Sequence, residues 1–370
     1  MKKCFAFIVA FAVMLSLYSC GKENRRNIKG SKERRFVGPL YNNLDGGRIF
    51  CANNVTYYID YETLKPTPLC SKPNCNHTTS ECPSKVLGKC PLVVDDGIYY
   101  FDSRESVKEL KNGEREAQIS SKLRYMSLDS SEVTNIVDFS GLAPIEEIVL
   151  YDNMIYFIAI DPKPIKDEYG NILLSYSGGK HYLCGIDLET NEFINYGLIY
   201  DTSSLNETDQ NNCNTFLSGF YDSKLYIEFS YCDDYGDTIG GYIIFEFDPE
   251  TKIMSRSDMP RPLSYLPGDY YVGYDDEKEK VVVFSNGERN EYDIPYSNFF
   301  DLYNNKLFCL GRYYNLNDGS IHVYPEKYQM YAALDYYDGY YIMGVGLISE
   351  KFTGEELLAF DKVGTFDLEG

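Results

Sequence analysis

Residues 70 to 83 carry the sharpest chemical signal in this chain. They read Cys70-Ser71-Lys72-Pro73-Asn74-Cys75-Asn76-His77-Thr78-Thr79-Ser80-Glu81-Cys82-Pro83, a C-x4-C-x-H-x4-C spacing. Three thiolates and one imidazole can close a tetrahedral zinc site. One residue separates Cys75 from His77, so a turn aims both inward while Cys70 and Cys82 approach from either side. The spacing is neither that of a zinc knuckle nor that of the common finger. A disulfide framework competes with this reading. Cys51 and Cys90 bring the local count to five, one more than two bridges need. An extracytoplasmic compartment permits disulfides, whereas a reducing, anaerobic habitat removes that bias. Zinc and disulfide therefore stay open at Cys70, Cys75, His77 and Cys82. Either role is structural, because a catalytic zinc keeps an open position and these four side chains would fill it.

Other chemistry is sparse. Histidine is the usual general base, and the chain holds three: His77, His181 and His322. His181 follows Gly178-Gly179-Lys180 at a strand start, and His322 sits in Ser320-Ile321-His322-Val323, which reads as a half-buried strand. Both read as structural residues. No Gly-x-Ser-x-Gly elbow, phosphate loop, dinucleotide fingerprint or His-Glu-x-x-His occurs. The pairs Asp233-Asp234 and Asp275-Asp276 have the residue types for Ca²⁺ but read as solvated turns. A glycosidase needs two carboxylates across a sugar bond, and the 56 acidic residues do not single out a pair. No catalytic residue is assigned. Cys184 and Cys309, in apolar strands, read as small buried hydrophobes.

The elements that must position these residues recur along the chain. One unit is a turn leading into an aromatic strand: Asp45-Gly46-Gly47-Arg48-Ile49-Phe50, Asp95-Asp96-Gly97-Ile98-Tyr99-Tyr100, and again from Tyr151, Tyr221, Tyr303 and Tyr337. Asp, Asn and Gly supply the tight turn, and the apolar residues after it start a strand. A second unit is a strand, a polar hairpin and a return strand, as in Gly185-Ile186-Asp187-Leu188-Glu189-Thr190 and Phe247-Asp248-Pro249-Glu250-Thr251. Together they make a four-stranded antiparallel blade, and blades set radially protect their edges. Six units are clear. The gap from 222 to 304 holds one more, with strands at Asp269–Tyr274 and Lys280–Phe284 and a turn at Asn286-Gly287. The expected fold is an all-β propeller of seven blades, with six or eight as alternatives and paired β-sandwiches as the runner-up. The last unit looks short, and a strand near Phe36 to Leu40 is expected to pair with it and close the ring. No helix is expected after residue 19.

The chain begins Met1-Lys2-Lys3, runs apolar from Cys4 to Leu17, and continues Leu17-Tyr18-Ser19-Cys20. That is the order of a secretory signal peptide, and its end resembles a bacterial lipobox with Tyr18 off the commonest pattern. The apolar run is shorter than the ~20 residues of a membrane span. Residues 1–19 are read as the leader and Cys20 as the lipidated N-terminus. Residues 20–35 form a basic tether of net charge +5, from seven Lys and Arg against Glu23 and Glu33, drawn toward anionic lipid. The whole chain has a net charge of −21. Setting aside +5 for the tether and +2 for the leader leaves residues 36–370, the single expected domain, at −28. Such a body repels nucleic acid. Tyr (36) and Phe (21) are abundant and Trp is absent. Aromatics suit strands, and this supports strand packing over a dedicated carbohydrate-stacking surface.

The lipobox, the Asp-Gly-x-Ile/Leu-Tyr strands, the Ile-Asp-x-Glu-Thr hairpins and the segment from Leu69 to Pro83 together resemble a family of lipid-anchored, propeller-like surface proteins of Gram-positive gut clostridia and their relatives. The resemblance spans most of residues 45–370. It implies a propeller fold on the outer face of the cell membrane and no established activity. The function expected is a non-catalytic binding or scaffold module for a glycan, peptide or partner protein. The alternative is a surface carbohydrate-active enzyme, a hydrolase or lyase, with its site in the central channel.

Overall fold

In the computed structural model the repeats become seven antiparallel sheets set in a ring, a seven-bladed β-propeller. The structure describes residues 35–37, 42–44, 46–52, 55–79, 82–86, 89–94, 97–109, 115–166, 172–205, 213–232, 239–263, 266–268, 270–285, 287–297, 301–345 and 348–365. Cys20, the leader and residues 20–34 of the tether lie outside them, as do Asp233 and Asp234.

Blade 1 is Asn42–Leu44, Gly47–Ala52, Val55–Asp60 and Pro66–Pro68; blade 2 is Lys89–Val94, Gly97–Glu109, Arg115–Ser127 and Val133–Ser140. Blade 3 is Ala143–Tyr151, Met154–Lys166, Ile172–Asp187 and Glu192–Asp201; blade 4 is Cys213–Tyr221, Lys224–Cys232, Ile239–Asp248 and Ile253–Arg256. Blade 5 is Arg261–Pro262, Tyr270–Asp275, Lys280–Ser285 and Glu288–Tyr292; blade 6 is Asp301–Tyr303, Lys306–Cys309, Arg312–Asn315 and Ser320–Val323. Blade 7 has three strands, Ala332–Tyr337, Tyr340–Val345 and Ile348–Phe352.

The repeat residues do what their chemistry requires. The turn from first to second strand takes left-handed backbone at Gly46, Asp152, Asp222, Asn304 and Asp338, which Gly, Asn and Asp tolerate best. The following glycine has a packing reason: a Cβ at Gly47 or Gly97 would run into the ring of Tyr58 or Tyr125 from the third strand. In the second hairpin the aspartate closes the turn. Asp187 Oδ1 accepts from the amides of Glu189 (2.8 Å) and Thr190 (3.2 Å), and Asp248 Oδ1 does the same for Glu250 and Thr251. Many of the acidic residues are thereby turn residues.

Apolar clusters weld each blade to the next. Ile49 and Leu69 meet Val93, Ile98 and Met126 between blades 1 and 2. Phe101 packs on Phe157 and Phe139 stacks on Phe193 between blades 2 and 3. Val149 and Tyr156 meet Leu217 and Phe220 between blades 3 and 4. Blades 4 and 5 share Tyr226 and Tyr271, blades 5 and 6 share Val272 and Leu307, and blades 6 and 7 share Phe308 and Tyr341.

Closure departs from the sequence expectation. The N-terminal strand, Arg35–Val37, does not join the last blade. It pairs antiparallel with the first strand of blade 3. A second short strand, Leu266–Gly268, lies parallel to the first strand of blade 4. The C-terminal strand, Asp361–Thr365, crosses back to the outer edge of blade 6. The ring is closed by side chains instead. Tyr61 of blade 1 packs with Ile342 and Tyr337 of blade 7, and buried Arg48 donates from Nη2 to Ser349 Oγ at 3.2 Å. Among the described residues, two short α-helices also stand where none was expected, Pro83–Val86 and Gly354–Leu358. The second is started by a capping box: Thr353 Oγ1 accepts from the Glu356 amide while Glu356 Oε2 accepts from the Thr353 amide.

Candidate metal centre

The Cys-His segment links the outer strand of blade 1 to the inner strand of blade 2. Its start is pinned by Leu69, buried in the cluster between those blades, whose amide donates to the Thr56 carbonyl at 2.9 Å. The Cys75 amide returns to the Lys72 carbonyl at 3.3 Å, a turn made possible by Asn74 at φ +57°. Asn76 Oδ1 then accepts from the amide and hydroxyl of Thr78 (3.3 and 2.8 Å), a local side-chain turn. His77 also sits at φ +57°, a region uncommon for a side chain other than Asn, Asp or His. After Cys82 the chain enters the Pro83–Val86 helix, with proline at the position where a missing N–H costs nothing. Outside the loop, the Ser71 amide donates to Ser130 Oγ at 2.9 Å, tying the segment to the hairpin of blade 2.

The outcome is convergence. One ligand atom each from Cys70, Cys75, His77 and Cys82 lies within 4.8 Å of the others, and the three cysteines are free thiols. His77 Nδ1 is 3.3 Å from Cys82 Sγ. Bond lengths of about 2.3 Å to sulfur and about 2.0 Å to nitrogen give a tetrahedron with S···N edges of about 3.5 Å and S···S edges of about 3.8 Å. The His77–Cys82 distance is close to such an S···N edge, and the other ligand atoms lie near enough to share one ion.

Electrostatics favour a cation there. Burial opposes ionisation of Cys82, but hydrogen bonds from Ser84 (Oγ···Sγ 2.9 Å), His77 and Cys75 outweigh it and bring the thiol down to about 6. Cys70 moves the other way, raised by burial first and then by its sulfur neighbours. One sulfur ionises readily and its charge holds the proton on the next, a conflict that a bound divalent cation relieves. A Cys3His group of this kind can hold a metal such as zinc.

The structure assembles the four residues singled out by spacing. It also adds Ser84 and Ser71, whose roles depend on contacts no motif encodes. The remaining histidines are committed elsewhere. His181 Nδ1 is 2.6 Å from Thr215 Oγ1, and His322, buried and stacked on Tyr313, lies between Ser320 Oγ and the Phe360 carbonyl. Cys184 and Cys309 are buried as expected, and burial pushes each thiol up to about 12. Asp275 pairs with Arg289 at 2.9 Å, and Asp276 accepts from Tyr242 OH at 2.5 Å. Sequence reasoning missed an ion pair between blades 4 and 5, a buried glutamate met by a half-buried arginine. There, Glu228 Oε1 receives Arg261 Nε (3.1 Å) and Nη2 (3.0 Å). No local pattern marks it, because its two residues meet only when the blades do.

Fold and site together define a seven-bladed propeller with a Cys3His group between its first two blades. No family model matches the chain and no curated protein matches it. Among solved structures it is similar to an oligogalacturonate lyase in complex with manganese, at 14% identity over 77% of this chain and 86% of that one, TM-score 0.30. An oligogalacturonate lyase from Vibrio parahaemolyticus matches at 12% identity over 80% and 91%, TM-score 0.30. An ACO/RPE65 chimera matches at 8% identity over 86% and 69%, TM-score 0.36.

Proposed function

We propose that this chain is a bacterial lipoprotein, anchored through Cys20 on the outer face of the cell membrane. Its propeller acts there as a non-catalytic binding or scaffold module for a glycan, peptide or partner protein. A structural zinc at Cys70, Cys75, His77 and Cys82 braces the link between blades 1 and 2. The observation that carries the non-catalytic reading is the placement of two extra strands. Arg35–Val37 and Leu266–Gly268 lie on the free edges of the first strands of blades 3 and 4 and beside each other. A carbohydrate-active site in the central channel would need that space. The fold by itself implies no chemistry.

The test uses the purified full chain with a panel of soluble polysaccharides, polygalacturonate, xylan and laminarin, and with peptidoglycan fragments. Saturable binding to one of them, or recovery of a specific surface protein after cross-linking on intact cells, without product formation supports the module. Sustained release of shortened or unsaturated sugars in proportion to added protein would overturn it in favour of the enzyme.

A further inference from the structure

Many of the tyrosines spend their rings on packing within and between blades. The seam between blades 4 and 5 differs where it reaches the surface. Arg261, in the first strand of blade 5, stands opposite Tyr274, close to the turn between the second and third strands. Tyr242 lies near the start of the third strand of blade 4. Tyr296 follows the fourth strand of blade 5, on the link to blade 6. All four positions lie toward one face, that of the hairpins joining second and third strands. The Arg261 guanidinium carbon is 5.8 Å from the Tyr242 ring centre and 5.9 Å from that of Tyr296. The Tyr274 ring meets Tyr296 edge-on at 5.2 Å, and Tyr296 is 40% exposed. Asp276, also exposed, accepts from Tyr242 OH through Oδ2.

Hydrogen-bond capacity is left over at this cluster. A guanidinium has five N–H groups. Glu228 Oε1 takes one each from Nε and Nη2, and Tyr296 OH takes one from Nη1 at 2.8 Å. Two N–H groups remain without an acceptor among the described residues, on a side chain 17% exposed. Asp276 Oδ1 likewise receives no bond among them. We infer that the cluster is a saccharide subsite for a neutral glycan: the Tyr296 ring stacks on a sugar face while Arg261 and Asp276 bond its hydroxyls. The inference deepens the binding-module reading and rests on it. A neighbouring pair of hydroxyls both donates and accepts, which matches free donors and a free acceptor beside apolar rings with polar rims. A carboxylate ligand would use the donors and meet Asp276; a cation would use the acceptor and meet Arg261. Charge sets a polyanionic glycan aside. The Arg261 charge is already matched by Glu228, Lys278 is paired with Glu291 at 2.6 Å, and Glu277 and Glu279 are exposed beside Asp276. The body around them carries −28, a field that repels polyanions. The Glu228 side chain is 5% exposed and turned onto Arg261, so it offers no acid to a glycosidic oxygen, and the cluster binds without cleaving.

The experiment measures binding of the purified full chain to laminarin, xylan and polygalacturonate by titration calorimetry. Saturable binding of laminarin or xylan is expected, weakened about tenfold or more in Tyr296→Ala, as at a binding hot spot, and several-fold in Asp276→Asn. Tyr340→Ala removes a tyrosine of similar exposure, 39%, from the opposite face and should leave affinity unchanged. Where the alanine variant folds poorly, Tyr296→Leu keeps bulk and removes the aromatic face. Equal affinity in the wild type and the Tyr296 and Asp276 variants overturns the inference and leaves the module reading standing. So does a preference for polygalacturonate, or absence of binding to all three while a specific surface protein is recovered by cross-linking. Sustained release of shortened sugars overturns the module reading itself, and the inference falls with it.

Discussion

Cys82 gathers Ser84, His77 and Cys75 around one buried sulfur. His77 reaches it from left-handed backbone. That geometry separates two roles for the histidine. Were it only a turn residue, His77→Gly would relax the backbone and leave metal content unchanged. As a ligand, His77→Gly should abolish the one zinc per chain expected by elemental analysis of protein purified without reductant. Chelation should then speed proteolysis within residues 72–79 and leave the blades intact. Metal-free protein with blocked thiols would point to disulfides involving Cys51 or Cys90. A different balance holds at Glu228. Burial raises its carboxyl above the ordinary 4.5, and Arg261 opposes that shift. Arg261→Met should cost about 3–5 kcal/mol at neutral pH, the penalty of an uncompensated buried charge. The penalty belongs to the ionised form. It is absent below the ordinary carboxyl value, grows as pH rises above it, and is relieved in the Glu228→Gln, Arg261→Met double variant. Melting midpoints of the three variants at pH 4 and 7 check this.

The blade hairpins depend on carboxylates held by backbone amides and hydroxyls. Asp60, Asp248 and Asp318 are all lowered from the ordinary 3.8, in each case chiefly by hydrogen bonds from the turn. Asp129, bonded to the hydroxyls of Ser127 and Ser131 and the Ser131 amide, falls to about 2. A carboxyl whose pKa is depressed in the fold stabilises it fully above the unfolded value, and that stability is lost as pH falls through the folded value. Thermal midpoints should therefore hold steady down to about pH 4 and fall between there and pH 2. A flat profile across that window would remove the turns from the account. At the C-terminal end, Thr353→Ala breaks the capping box of Gly354–Leu358 and should cost about 1 kcal/mol, read as a lower urea midpoint.

At the scale of the molecule, closure is the point of greatest consequence. Many propellers pair the two ends of the chain in one blade; here the Tyr61 contact with Ile342 and Tyr337 and the Arg48–Ser349 bond join first blade to last. Tyr61 is fully buried, so Tyr61→Ala should cost about 3–5 kcal/mol. The described blades belong to one compact unit, Lys32–Gly370. Unfolding is therefore expected as one transition in both far-ultraviolet and tyrosine signals, and Tyr61→Ala should lower its midpoint without splitting it. Two resolved transitions in the wild-type chain would show that the ring is not a single cooperative structure.

Local chemistry was legible from residue order alone. Asp, Asn and Gly before an apolar pair placed the turns, the apolar and aromatic residues after them placed the strands, and repetition of both placed seven blades, because each of these preferences acts within a few residues. The Cys3His group was legible for the same reason: Cys70, Cys75, His77 and Cys82 lie on one short loop, and spacing alone could bring them together. The capping box from Thr353 to Glu356 was equally local and was passed over. Contacts between distant residues were not legible. Arg35–Val37 carries no mark that sends it to blade 3, and Glu228 and Arg261 share no spacing rule. Ser84 acquires its role only when Cys82 is buried against it. Pairing across blades is selected by packing of the whole ring, where every strand edge competes for every free edge. Only the tertiary structure decided how the ring closes and what occupies its axis.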